Sequence, residues 1–226
     1  MHRVGIIGAT GMVGQRFALL LENHPWFQVT CVAASPKSAG KPYHKAVEGR
    51  WAFKGTPIPS YIADLVVQDA SDVDAIAAQV DFVFCAVDMP KDAARALEER
   101  YAKAEVPVIS NNSACRWMDD VPMMIPEING AHAQVIEAQK KRLGTKRGFI
   151  AVKPNCSIQS YVPAIWPLLQ FEPQQLIACT YQAISGAGKT FDNWPEMLDN
   201  VNPLIKGEDE KSEVEPMKIF GALQDG

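Results

Sequence analysis

The chain has no apolar run near the ~20 residues that a membrane-spanning helix needs. It has no CxxC pair, no basic or acidic block, and no histidine after His132. Each absence removes a class of function. No membrane span is expected, and the N-terminal MHRVGIIG is a short apolar run broken by glycine rather than a signal sequence. A formal net charge of -4 over 226 residues, with no Lys/Arg tract, speaks against nucleic acid and anionic membranes as partners. The five cysteines, Cys31, Cys85, Cys115, Cys156 and Cys179, follow no zinc spacing. They predict no metal site, reduced thiols and a cytoplasmic location. Internal repeats and low-complexity segments are also absent. What remains, 47% hydrophobic and 21% charged, is the composition of a globular chain able to bury a sizeable core.

The first two thirds alternate. HRVGII reads as a strand, and GMVGQRFALLLENH as a helix with Val13, Phe17, Leu20 and Leu21 on its apolar face. FQVTCVAA, VDFVFCAV (Val80 to Val87) and VPVISN (Val106 to Asn111) read as further strands. PKDAARALEERYAKA reads as a helix with Pro90 at its first position. This alternation predicts an α/β, doubly wound Rossmann-type parallel sheet over residues 1-152. Pro36 to Pro59 is a loop excursion. FIAVKPN is a strand, a helix starts at Cys156, and Gln174 to Ile184 is expected to be a long strand. Residues 153-226 then open an α+β catalytic or dimerisation domain. Its last stretch, SEVEPMKIFGALQDG, starts like a helix with no packing partner and reads as cut short.

GATGMVG lies between the first strand and the first helix. Glycines there permit a tight turn and close approach of the backbone, and free N–H groups at the helix start hold a pyrophosphate. Gly8, Thr10, Gly11, Met12 and Val13 are the candidate contacts; a tight turn with no ligand is the alternative. The second strand ends in Ala-Ala-Ser-Pro-Lys-Ser with no acid to receive a ribose 2′-hydroxyl. Ser35, Lys37 and Ser38 favour the 2′-phosphate of NADP instead, against the alternative of a solvated polar loop.

Cys156 stands in KPNCS at a helix start, where partial positive charge stabilises a thiolate. A cysteine so placed is otherwise a small core residue. Its company favours chemistry. TYQAISGAGK supplies Gln182 and a glycine turn that lets a flat ring come close, and SNNSACRWMDDVPMMIPEIN supplies amides, hydroxyls and Arg116 as an anion site.

Taken together, GATGMVGQ, ASPKSAGK, SNNSACRWMDDVPMMIPEIN, KPNCS and QAISGAGK resemble the aspartate-β-semialdehyde dehydrogenases, in the branch found in archaea and fungi. The resemblance implies NADP-dependent interconversion of β-aspartyl phosphate and the semialdehyde through a thioester on Cys156, on the route to lysine, threonine and methionine. It implies that Gln182 orients the substrate and that Arg116 and Asn112 serve the phosphate. Glu208 and Lys211, in NVNPLIKGEDEK, would hold the substrate's amino group and phosphate; a solvated charge run is the alternative reading. Ser185 and Gly186 would lie against the nicotinamide. A homodimer or homotetramer is implied for the complete protein.

The family also uses a histidine as acid/base and a second arginine, both well after the cysteine. Here His2, His24, His44 and His132 all precede Cys156, and the last arginine is Arg147. Weak or absent turnover by these residues alone is therefore expected. Related malonyl-coenzyme A and N-acetylglutamyl-phosphate reductases share the scaffold, and a non-catalytic NADP-binding fragment or a Rossmann module without cofactor are the remaining alternatives.

Overall fold

A computed structural model describes residues 1–224. Its strands are short and built from small and β-branched residues that alternate between two apolar layers. In β1 (His2–Ile7), Ile6 enters one layer and Ile7 the other; in β2 (Phe27–Ala34), Val32 and Ala34 enter the first, Cys31 and Ala33 the second. Both faces are covered, as a parallel sheet requires. β3 (Gln68–Asp69), β4 (Phe82–Cys85), β5 (Val108–Ser110) and β6 (Ile150–Val152) complete a six-stranded sheet in the order β3-β2-β1-β4-β5-β6. Every adjacent pair is parallel. The order reverses at β1, which opens a crevice at the carboxyl ends of the strands. The doubly wound Rossmann-type sheet expected from the alternation is present.

Helices α1 (Met12–Leu20), α2 (Tyr43–Ala46) and α3 (Ser60–Ala63) cover the layer around Ile6. The other layer is covered by α4 (Val73–Ala77), α5 (Lys91–Lys103) and α7 (Ile136–Leu143), with α6 (Pro126–Asn129) between the last two. Past the sheet come α8 (Ile158–Ile165) and α9 (Glu208–Phe220). Their Ile158, Val162 and Ile219 join the same apolar layer. None of these helices is long and apolar enough to cross a membrane.

Four expectations are corrected. The buried residues of α1 are Gly14, Gln15 and Ala18, while Val13 and Leu20 are exposed. Small residues face inward because this helix presses against the preceding turn: a Cβ on Gly14 would stand 2.3 Å from the Gly8 carbonyl oxygen. Pro90 precedes the first turn of α5 rather than occupying it. Gln174 to Ile184 forms no strand: the chain carries no regular structure up to residue 183, Ile184 opens a 3-10 turn, and Gln174 to Tyr181 are exposed. Strand propensity is expressed only against a neighbour, and among the described residues none pairs with it. The terminal helix begins earlier than expected, at Glu208, and is packed: α9 contacts α6 and α8. Pro216 inside it cannot donate to the Ser212 carbonyl, and the Tyr161 hydroxyl donates to that oxygen at 3.2 Å instead.

The turn at Gly8 has φ +87°, and a Cβ there would meet the Ala86 carbonyl oxygen at 2.3 Å. Gly14→Ala should destabilise the fold by about 1–3 kcal/mol through overpacking. Gly11→Ala, with its nearest atom at 3.5 Å, should stay within about 0.5 kcal/mol of the parent. Urea unfolding of the two variants checks this; equal midpoints would contradict it.

Candidate active site

β6 ends at Val152, and the chain turns sharply over Asn155 into α8. The Asn155 side-chain oxygen accepts from the Ser157 amide at 2.9 Å and the Ser157 hydroxyl at 2.8 Å, an Asx turn that leaves Cys156 at the corner. Cys156 is exposed, whereas Cys31, Cys85 and Cys115 are buried. Burial pushes the Cys31 thiol up to about 12, and burial followed by the nearby Glu98 carboxylate pushes Cys85 and Cys115 up as well. Those three are core residues; Cys156 is not.

The corner is held by α9. Glu208, Lys211, Glu215 and Lys218 recur at helical spacing, so one polar face looks inward. Glu215 is 1% exposed. One of its oxygens accepts from the Asn155 amide at 2.6 Å and the other from Arg116 Nη1 at 3.0 Å. Glu208 accepts from Asn155 Nδ2 (2.8 Å), Lys211 Nζ (2.9 Å), Gln182 Nε2 (3.1 Å) and the Ser157 hydroxyl (3.3 Å). Burial alone would raise the Glu208 carboxyl, but the hydrogen bonds from Lys211, Gln182 and Asn155, with the Lys211 charge, hold it below the ordinary glutamate range. Lys218 Nζ donates to the carbonyls of Arg116, Met118 and Val121 at 2.7, 2.9 and 3.1 Å, tying the helix to the loop after β5. Beside the cysteine, burial and then Arg116 push the Lys153 ammonium down, while Cys156 and Glu215 act in the other direction.

An open cleft of about 1660 Å³ collects most of the expected site. Cys156, Arg116, Gln182, Ser185, Gly186, Glu208 and Lys211 all line it. Ser185 and Gly186 sit in a 3-10 turn, Ile184–Ala187. Arg116 is buried and already committed to Glu215, to the Lys153 carbonyl (3.1 Å) and weakly to the Asn111 carbonyl (3.4 Å). Asn112 is not brought to the cleft. Its side-chain Nδ2 donates to the fully buried Glu98 at 2.7 Å, and its neighbours Asn111 and Ser113 face the cleft instead. Among the described residues no histidine lines the cleft. His132, for one, bridges Asn129 and the Gly221 carbonyl.

The glycine turn lies at the same end of the sheet but outside that cleft. Gly8 and Ala9 donate to the Ala33 carbonyl at 2.8 and 3.0 Å, which sets the turn against the end of β2. The amides of Met12, Val13 and Gly14 find no protein acceptor among the described residues. Gly8 and Gly14 are demanded by packing, but Gly11 is not: a Cβ there would meet the Gly8 carbonyl oxygen only at 3.5 Å, an ordinary contact. A glycine the fold does not need, at a helix start with open amides, fits the pyrophosphate of a dinucleotide. Thr10 is buried in the turn. Past β2, Ser35 and Lys37 are exposed, and Ser38 is buried under Arg50.

Residues 3–136 match the family model described as semialdehyde dehydrogenase, NAD binding domain. This chain belongs to the semialdehyde dehydrogenase family. Within it, the chain is 41% identical over 222 residues to the aspartate-semialdehyde dehydrogenase of Archaeoglobus fulgidus, covering 97% of this chain and 62% of that one. It is 40% identical over 229 residues to that of Methanothermobacter thermautotrophicus, covering 100% and 63%. The crystal structure of aspartate semialdehyde dehydrogenase with NADP from Candida albicans superposes with a TM-score of 0.81 at 35% identity, covering 100% of this chain and 62% of that one. The chain thus spans a little over three fifths of the length of these relatives.

For a semialdehyde dehydrogenase chain, sequence reasoning passed over Glu215, Asn155 and Gln15. Glu215 lay in a helix read as unpartnered. Gln15, 2% exposed, clamps the glycine turn to the 50–52 loop through the Thr10 and Arg50 carbonyls and the Ala52 amide. Its signal was a polar residue on the helix face where Gly14 and Ala18 turn inward.

The depressed Glu208 value fixes the sign of a pH effect. A carboxyl held low in the folded state contributes stability above its unfolded value and loses it as pH falls through the folded one. Glu208→Gln should therefore flatten the acid limb of the stability curve, seen as a smaller drop in urea midpoint between pH ~5 and pH ~3. An unchanged acid limb would contradict this electrostatic role.

Proposed function

We propose that this chain carries the dinucleotide-binding and thiol-bearing machinery of an NADP-dependent aspartate-semialdehyde dehydrogenase. The observation that supports it most is the meeting of Gln182, Glu208 and Lys211 with Asn155 and Ser157 around an exposed Cys156. The family membership and the NADP named for the Candida albicans structure point the same way. On this reading residues 1-152 form the cofactor-binding unit and 153-226 open the catalytic one. A homo-oligomer and a cytoplasmic location belong to the same proposal.

In the oxidative direction Cys156 Sγ adds to the aldehyde carbon of the substrate. Ser185 and Gly186 would lie against a nicotinamide, which would take the hydride from the former aldehyde carbon as the hydroxyl of the adduct loses its proton. Cys156 then holds the acyl group as a thioester, which splits one difficult step into two. Phosphate attacks the acyl carbon, the C–S bond breaks, and acyl phosphate leaves with the thiolate restored. Gln182, its amide fixed by Glu208 at 3.1 Å, orients the substrate. Glu208 accepts from the substrate's amino group, while Lys211 and Arg116 supply positive charge for the phosphate. Arg116 does so from a guanidinium whose geometry Glu215 sets. No histidine is assigned to the proton transfers, and weak turnover by these residues alone remains part of the proposal.

Mass spectrometry tests the thioester. The protein treated with semialdehyde and NADP without phosphate should carry an acyl group on Cys156, which phosphate discharges and Cys156→Ser prevents. No adduct, or one on Cys179, would contradict the assignment.

A further inference from the structure

Arg50 lies outside every motif read from the sequence. Its carbonyl accepts from Gln15 Nε2 at 3.1 Å, and that same nitrogen reaches the Thr10 carbonyl at 3.0 Å. The backbone of Arg50 is therefore stitched to the glycine turn. Its side chain folds back over the turn that follows β2. Nε and Nη2 donate to the Ala46 carbonyl at 2.9 and 2.6 Å, and Nη2 also donates to Ser38 Oγ at 2.8 Å. Ser38 is 3% exposed, so its hydroxyl serves the guanidinium rather than solvent.

Arg3, Arg95, Arg116 and Arg142 each meet a carboxylate, while Arg16, Arg50, Arg100 and Arg147 make no ion pair among the described residues; of these four, Arg50 is the one stitched to the glycine turn. Arg50, an exposed residue, makes no ion pair among the described residues, and its Nη1 has no protein acceptor. Lys37 and Lys41 on the same loop add positive charge, and no acid stands between Ser35 and Lys41. A guanidinium held by hydrogen bonds, beside a pyrophosphate turn, and lacking a counter-ion presents a preformed fork to a phosphate monoester.

We infer that Arg50 binds the phosphate on the adenosine ribose of the dinucleotide, with Ser38 as the positioning residue that aims it. The inference rests on the dinucleotide reading above. It moves the recognition from the serine hydroxyl expected in the sequence to the arginine that covers it. Lys37 contributes charge from the rim and no fixed geometry.

Equilibrium binding of NADPH and of NADH, read by nicotinamide fluorescence, tests it without turnover. The parent chain should bind NADPH more tightly than NADH. Arg50→Gln should weaken NADPH by roughly tenfold to a hundredfold, the loss of a charge-assisted contact, while NADH binding stays the same. Ser38→Ala should produce a smaller loss in the same direction, and 2′,5′-ADP should compete in the parent far better than in Arg50→Gln. Retained NADPH preference in Arg50→Gln, or equal losses for both dinucleotides, would overturn the role of Arg50 and leave the dinucleotide site standing. A parent chain that binds neither would remove the dinucleotide reading itself.

Discussion

The buried carboxylate of Glu215 is the contact on which the rest of the site depends. It joins three parts of the chain far apart in sequence: α9, the loop after β5 through Arg116, and the cysteine turn through the Asn155 amide. A buried ion pair is weak evidence for net stability, but removing one partner strands the other charge and costs about 3–5 kcal/mol. The arrangement therefore specifies position more than it adds strength. Once α9 is placed by Glu215, Lys218 and Ile219, its first turn brings Glu208 to Asn155, Ser157 and Gln182. Cys156 is left at the exposed corner of a turn whose other polar groups are all engaged.

Two groups of functional side chains and turns arise at one end of the sheet. Every strand is parallel, so the turns after β1, β2, β5 and β6 all open on the same side. The turn after β1 presents unpartnered amides, and the Arg50 side chain, from the loop after α2, lies over the turn after β2. The segments after β5 and β6 carry Arg116 and Cys156. Gln15 couples the first two through the 50–52 loop, and Glu215 couples the last two through α9. The architecture thus keeps the glycine turn and the exposed cysteine apart along one sheet edge, which is the separation the proposed dinucleotide site and nucleophile require.

Legibility in the sequence followed the range of the interactions. β1, β2, β4 and α5 were readable because period and composition act locally, and Gly8 with Gly14 because a turn leaves no room for a side chain. Cys156, Gln182, Glu208 and Lys211 were found through motifs and do converge. Glu215, Asn155 and Arg50 were not, because a polar residue's burial and partners are set by elements 12 to 99 positions away. Asn112 carried the right chemistry and faces Glu98 instead, since a neighbour in a loop can take the opposite side. Gln174 to Ile184 shows the converse: strand propensity without a partner is no strand. Half of the expected α1 face, Phe17 and Leu21, meets the apolar layer, whereas Val13 and Leu20 are exposed, because close approach to the turn favours the small Gly14 and Ala18.

Hydrogen exchange at the Asn155 amide tests the central claim most directly. If Glu215 anchors the cysteine turn, that amide is strongly protected in the parent chain. Glu215→Ala should then accelerate its exchange far more than that of the β1 and β4 amides. An Asn155 amide that exchanges freely in the parent, or one indifferent to the substitution, would contradict the account.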